Sequence, residues 1–195
     1  MNDALIHVPQ MLMIGSTGRN SGKTTLAVEA IQKWKALYPV IGLKVTSIEQ
    51  TDGTCPRGGH GCGACSSLSG DFEIIEETDA RSAKDTSQLL ACGCPRVYWL
   101  KVLRTHMAQG ILKFLEIAPP HTLIVCESNS LRRVVKPGAF IMLDNEQDGA
   151  VKDTARNVLA YADRVISRDI RGCAGEILEQ FVIEEEDGTL HIRLV

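Results

Sequence analysis

Residues 11–25, MLMIGSTGRNSGKTT, run from an apolar strand through a glycine-rich turn into Gly22-Lys23-Thr24. Glycines in such a turn let backbone N–H groups converge on phosphate oxygens, Lys23 adds a mobile positive charge, and the Thr24 hydroxyl can ligate Mg²⁺. The stretch predicts a phosphate-binding loop formed by Gly15, Gly18, Arg19, Asn20, Ser21, Gly22, Lys23, Thr24 and Thr25. A strict GxxxxGKT pattern needs glycine where Thr17 stands, and Gly15 and Gly18 straddle that position. The loop is therefore read as a variant, one residue longer from Gly15 or one shorter from Gly18. The alternative is an ordinary strand-to-helix turn.

Outward from this loop the pattern alternates. Residues 24–37 predict a helix with Leu26, Ala27, Ala30, Ile31 and Trp34 on one face, ended by Pro39,. Apolar strands are expected at 40–45, 96–102 and 122–126, a brief one at 72–77, a further apolar run at 139–143 and a short strand at 164–167. Helices are expected at 86–91, 107–117 and 151–161, with a helical turn at 175–181. Asp187-Gly188 predicts the turn of a C-terminal hairpin. Alternating βα units behind a phosphate loop imply an α/β, three-layer P-loop NTPase fold with a mostly parallel, doubly wound sheet, its site beyond the strands' C-terminal ends.

The 195 residues suit one domain, 1–195, carrying a Cys-rich insertion at about 47–70,. A formal charge of −3 with scattered Lys and Arg gives no field for nucleic acid or an anionic membrane,. No apolar run approaches a membrane span and no signal peptide is visible, so a cytoplasmic protein is expected.

Phosphate binding needs an acid to place Mg²⁺, and Glu127, directly after the apolar strand 122–126, fits that requirement. A solvated strand-end carboxylate is the alternative. Lys44 stands in an apolar strand, where its charge is costly unless it points into the ligand crevice or snorkels from an edge. Lys23, Glu127 and Lys44 are thus the candidate catalytic groups, with Thr24 and Glu127 on Mg²⁺. Asp52 is a weaker Mg²⁺ candidate. Asn145 and Asp148 have the spacing of a guanine-reading loop, with Glu146 where that loop carries lysine. Arg132, Arg133 and Lys136 offer either an anion contact or a solvated face.

Cys55, His60, Cys62 and Cys65 fall within eleven residues rich in glycine. That composition and the Cys62–Cys65 spacing point to Zn²⁺ or an iron–sulfur cluster, completed by His60, Cys92 or Cys94; redox thiols and inert thiols are the alternatives. Cys126 and Cys173 have no ligand-spaced partner and are read as core or surface thiols.

The ordered set IGSTGRNSGKTTL, the Lys44 strand, Lys84-Asp85-Thr86 before a short helix, Cys92-Gly-Cys94 and a strand ending in Glu127 resembles the MobB family over residues 11–163. Those are P-loop proteins of molybdopterin guanine dinucleotide synthesis. The resemblance implies GTP bound through residues 15–25 with Mg²⁺ at Thr24, Glu127 as strand-end acid, Lys44 facing the site, weak GTPase activity, a homodimer, and a molybdopterin-processing nucleotidyltransferase as partner. Two departures stand out: the Lys44 strand continues as VTSIEQ without the family's histidine, and the Cys-rich insertion separates it from Lys84-Asp85-Thr86. An ATP-dependent small-molecule kinase or ligase and a nucleotide-switched metallochaperone are the alternatives.

Overall fold

Four consecutive residues of the first strand, Met11, Leu12, Met13 and Ile14, are all fully buried. Met11 and Met13 point into one hydrophobic cluster, Leu12 and Ile14 into another. A strand covered on both faces belongs in the middle of a parallel sheet. In the computed structural model, which describes residues 4–18, 20–49, 68, 70–144, 153–167 and 169–195, it takes that place. Strand β1 (Ile6–Ser16) lies between β5 (Leu123–Glu127) and β6 (Val135–Leu143) in a seven-stranded sheet. Beyond β5 come β2 (Val40–Ile48), β4 (Arg96–Leu103) and the edge strand β3 (Phe72–Glu76); beyond β6 comes β7 (Arg164–Ile166). All neighbours run parallel except β3 against β4.

Helices flank both faces. On one side α1 (Lys23–Trp34) buries Leu26, Ala27, Ala30, Ile31 and Trp34, and shares a core with Leu89 of α2 (Asp85–Ala91) and Ile177 of α5 (Ala174–Leu178). On the other, α3 (Met107–Leu115) inserts Met107, Ile111 and Phe114, with Tyr98 edge-on to Phe114 at 5.7 Å. The hairpin of β8 (Phe181–Glu186) and β9 (Thr189–Leu194) turns through Asp187 and Gly188, both at positive φ. That is the backbone twist a two-residue hairpin loop needs. Its Phe181, Leu190 and Ile192 close the α1-side core.

Gly138 lets this corner pack. The ladder between β1 and β6 shifts between Val8 and Leu12, and a Cβ on Gly138 would lie 1.9 Å from the Pro9 carbonyl oxygen and 2.8 Å from that of Ile192. The shift also accommodates Pro137, whose missing N–H is tolerable at an irregularity. Strand β6 therefore starts four residues before the expected apolar run. Strand β2 likewise extends to Ile48 rather than stopping at Val45.

Four helical segments end earlier than expected, α3 at Leu115 and α5 at Leu178 among them. Helix α1 ends at Trp34, beyond which the chain turns, the Leu37 and Tyr38 N–H groups both donating to the Trp34 carbonyl (2.9 Å each). Among the described residues of 151–161 the α-helix is α4 (Asp153–Arg156), followed by a 3₁₀ turn at Leu159–Tyr161. Among the described residues of this stretch, Ala155 and Val158 are the buried ones, with Leu159 packed against the same core. Asp163 donates its N–H to the Phe140 carbonyl (2.9 Å) and its carboxylate accepts the Phe140 N–H (2.7 Å), stapling the exit to β6. Among the described residues, no helix is long and apolar enough to cross a membrane.

Candidate functional site

The turn between β1 and α1 is shaped by two kinds of constraint. Gly22 has φ of 82°, and a Cβ there would meet the Ile170 side chain at 2.7 Å, so both conformation and space require glycine,. Asn20 also lies at positive φ, 51°, a region its short polar side chain tolerates,. Gly15 belongs to β1, paired with Met142, so the turn proper begins after Ser16 and contains Gly18. Gly15 instead makes room for a neighbour, since a Cβ there would stand 2.6 Å from the Asn129 side-chain oxygen. Asn129 accepts the Ser16 N–H and donates to the Ser16 carbonyl, both at 2.8 Å, holding the start of the turn to the loop after β5.

The predicted lysine lies inside this frame. Lys23 Nζ donates to the hydroxyl of Ser16 at 2.7 Å and to that of Ser21 at 3.4 Å. Burial lowers its pKa, the neighbouring Lys44 adds to that, and Glu127 and Asp85 partly restore it. Thr17 donates to Asp144 at the end of β6 at 2.8 Å.

Strand register assembles the charged centre. Lys44 on β2 and Glu127 on β5 are direct register partners on the α1 side of the sheet. Lys44 Nζ donates to Glu127 Oε2 at 2.9 Å and also to Asp85 Oδ2, at the first residue of α2. The other Asp85 oxygen accepts the Thr24 hydroxyl at 3.3 Å. The Glu127 side chain is 0% exposed, and its Oε1 has no hydrogen-bond partner among the described residues. For Lys44, burial works against the charge but is outweighed by Glu127 and Asp85, so its pKa is raised. For Asp85, burial pushes upward, and hydrogen bonding and attraction from Lys44, helped by Thr24 and Lys23, bring the pKa down. A cleft of about 440 Å³ opens above, lined by Asn20 to Thr25, Lys44, Asp85 and Gln88. Its size is that of a small-molecule site.

The structure thus brings together Asn20, Ser21, Gly22, Lys23, Thr24, Thr25, Lys44 and Glu127. Arg19, Asp52, Cys55, His60, Cys62, Cys65 and the 145–148 turn lie outside the described residues. Cys94 is buried at the start of β4, its thiol donating to the Arg96 carbonyl at 3.3 Å and the Val40 carbonyl at 3.8 Å. Burial pushes its pKa up to about 11, as it raises that of the half-buried Cys92. The Cys94 thiol thus sits at the N-terminal end of β2, beside Val40. Cys126 and Cys173 are buried, and burial raises the Cys126 pKa. Among the described residues, no group of three or more His, Cys, Asp or Glu side chains could hold a metal ion. Arg132 is tied to the Val135 carbonyl (3.2 Å) and lies over the Tyr161 ring, while Arg133 and Lys136 are exposed.

Sequence reasoning missed Asp85 and Asn129 as members of the site. Asp85 was visible only as part of Lys84-Asp85-Thr86 before a helix, and Asn129 only as a polar residue just beyond β5. Compared with family models, with curated proteins and with solved structures, the chain gives no match.

Proposed function

We propose that this chain is a Mg²⁺-dependent GTP-binding accessory protein with weak NTPase activity, MobB-like, acting in molybdopterin guanine dinucleotide biosynthesis. The reading is carried by the convergence of Lys23, Thr24, Lys44, Asp85 and Glu127 at the C-terminal edge of a parallel sheet, where α/β sheets bind ligands,. The choice of GTP, of a molybdopterin-processing partner and of a homodimer rests on the ordered motifs IGSTGRNSGKTTL, Lys84-Asp85-Thr86 and the strand ending in Glu127. Under this reading the sheet and its helices form a three-layer P-loop architecture.

The start of α1 faces the cleft with the N–H groups that bind phosphate oxygens,. Lys23 exchanges its two hydroxyl partners for phosphate, and Lys44 supplies a second positive charge. Thr24, Asp85 and Glu127 would hold Mg²⁺, since a hydroxyl and two carboxylates are the oxygen donors that ion takes, and the orphaned Oε1 of Glu127 fits a metal or its water,. When bound, Mg²⁺ neutralises charge on the β- and γ-phosphate oxygens. Asp85 and Glu127 are both engaged by Lys44 in the nucleotide-free protein.

Calorimetry with purified protein tests the reading. GTP in Mg²⁺ is expected to bind with a Kd on the order of micromolar, weakened at least about tenfold by Lys23→Ala. Absence of binding by both GTP and ATP would overturn it. A small-molecule kinase or ligase is the second reading, favoured by Lys44 lining the same cleft as Lys23, where an anionic acceptor can enter. It requires turnover that depends on an added small acceptor, and basal hydrolysis alone across a metabolite screen counts against it.

A further inference from the structure

We propose that the Lys44 ammonium is a tethered cation that holds the divalent-ion position between Asp85 and Glu127 when no nucleotide is bound, and that Lys44 and a divalent ion exclude each other there. The inference deepens the preceding reading and rests on it for the role of phosphate.

Three observations carry it. Lys44 Nζ bridges one oxygen of each carboxylate, while the second Asp85 oxygen already accepts the Thr24 hydroxyl. The ammonium therefore stands where the three oxygen-bearing groups converge. The Glu127 side chain is fully buried, yet Oε1 has no partner among the described residues, so one lysine satisfies only half of an acceptor pair. A hydrated divalent ion can serve both oxygens, directly or through water. Finally, Lys44 is 22% exposed and lines the cleft, so its ammonium has a path out toward the turn between β1 and α1.

Charge decides the exchange. Asp85 and Glu127 are balanced by Lys44 and Lys23, and a divalent ion entering beside both lysines would leave two excess positive charges in a part-buried cleft,. Withdrawal of Lys44 removes one of those two charges. Phosphate oxygens give the displaced ammonium a new partner, so bound nucleotide strengthens an exchange that the divalent ion alone already drives.

The test uses Mn²⁺ alone, followed by electron paramagnetic resonance on the nucleotide-free full chain. Lys44→Gln, which keeps a hydrogen-bond donor for Glu127, is expected to bind Mn²⁺ at least about tenfold more tightly than the natural protein. The double variant with Asp85→Asn should lose that gain. Unchanged or weaker Mn²⁺ binding by a folded Lys44→Gln protein would overturn the proposal. The natural protein provides an arm that does not depend on a variant folding. Acetic anhydride labelling of Lys44, read by mass spectrometry against exposed Lys113, should rise severalfold on addition of Mn²⁺, and a constant rate would also overturn the exchange. Because no nucleotide is present, failure here leaves GTP binding standing, and failure of GTP calorimetry leaves the cation exchange standing.

Discussion

Lys44 and Lys101 occupy neighbouring positions on the same face of the sheet, yet their surroundings differ. Lys44 is the register partner of Trp99, and Lys101 that of Thr46, two residues farther along the same strand pair. Lys101 lies over the Trp99 ring at 4.6 Å and reaches Glu73 of the edge strand at 3.3 Å, a carboxylate with access to water. Trp99 in turn donates to Thr46 at 2.9 Å. Lys44 instead meets a fully buried glutamate and an aspartate at the mouth of the cleft. Burial alone therefore does not set Lys44 apart, since Lys101 is the less exposed of the two. The distinguishing feature is a partner that water cannot reach.

The largest effect should come from removing that partner's counter-charge. Lys44→Met leaves Glu127 buried and uncompensated and is expected to cost about 3 kcal/mol in denaturant unfolding, with nucleotide binding weakened as well. Loss below about 1 kcal/mol would place Glu127 in contact with water and dissolve the contrast with Glu73.

Next in size is Asn129→Ala, which strips partners from both backbone groups of Ser16 and should cost about 2 kcal/mol,. The same variant removes the nearest of the three side chains that a Cβ on Gly15 would meet, Phe140 and Met142 being the others. Gly15→Ala alone is expected to be poorly tolerated, and combining it with Asn129→Ala should cost less than the sum of the two, a coupling that a double-mutant cycle reads directly,.

Gly22→Ala should destabilise by about 1–2 kcal/mol through its positive φ and the Ile170 contact, and it should impair nucleotide binding by more than its effect on folding suggests,. The smallest change belongs to Lys101→Met. Its Glu73 partner can turn to solvent, so about 1 kcal/mol of stability and no nucleotide affinity should be lost. A loss of binding comparable to that of Lys44→Met would extend the functional cluster to Trp99 and Lys101.

Much of this arrangement was legible before the strands were placed. The apolar run ending in a glycine-rich turn marked β1 and α1, and a carboxylate directly after an apolar strand marked Glu127. The Asp187-Gly188 pair marked the hairpin, because both residue types accept positive φ. Asp85 was harder to find, since its meaning depends on Lys44, 41 residues earlier, and Thr24, 61 residues earlier. Asn129 bonds Ser16 across 113 residues, a distance over which no local pattern carries information. The overextended helix at 151–161 failed for a related reason: its early exit is set by the Asp163–Phe140 staple to β6.

Residue order alone determined the elements and their chemistry: a strand buried on both faces, a turn needing positive φ, an amphipathic helix behind it, and a lysine and a glutamate in apolar strands. These follow from side-chain period and backbone freedom, which act over a few residues. Tertiary structure decided which charges meet. Parallel register set Lys44 beside Glu127, α2 brought Asp85 over them, and burial left one glutamate oxygen without a partner among the described residues. Such pairings depend on strand order and depth in the fold, so they exist only once the chain has packed.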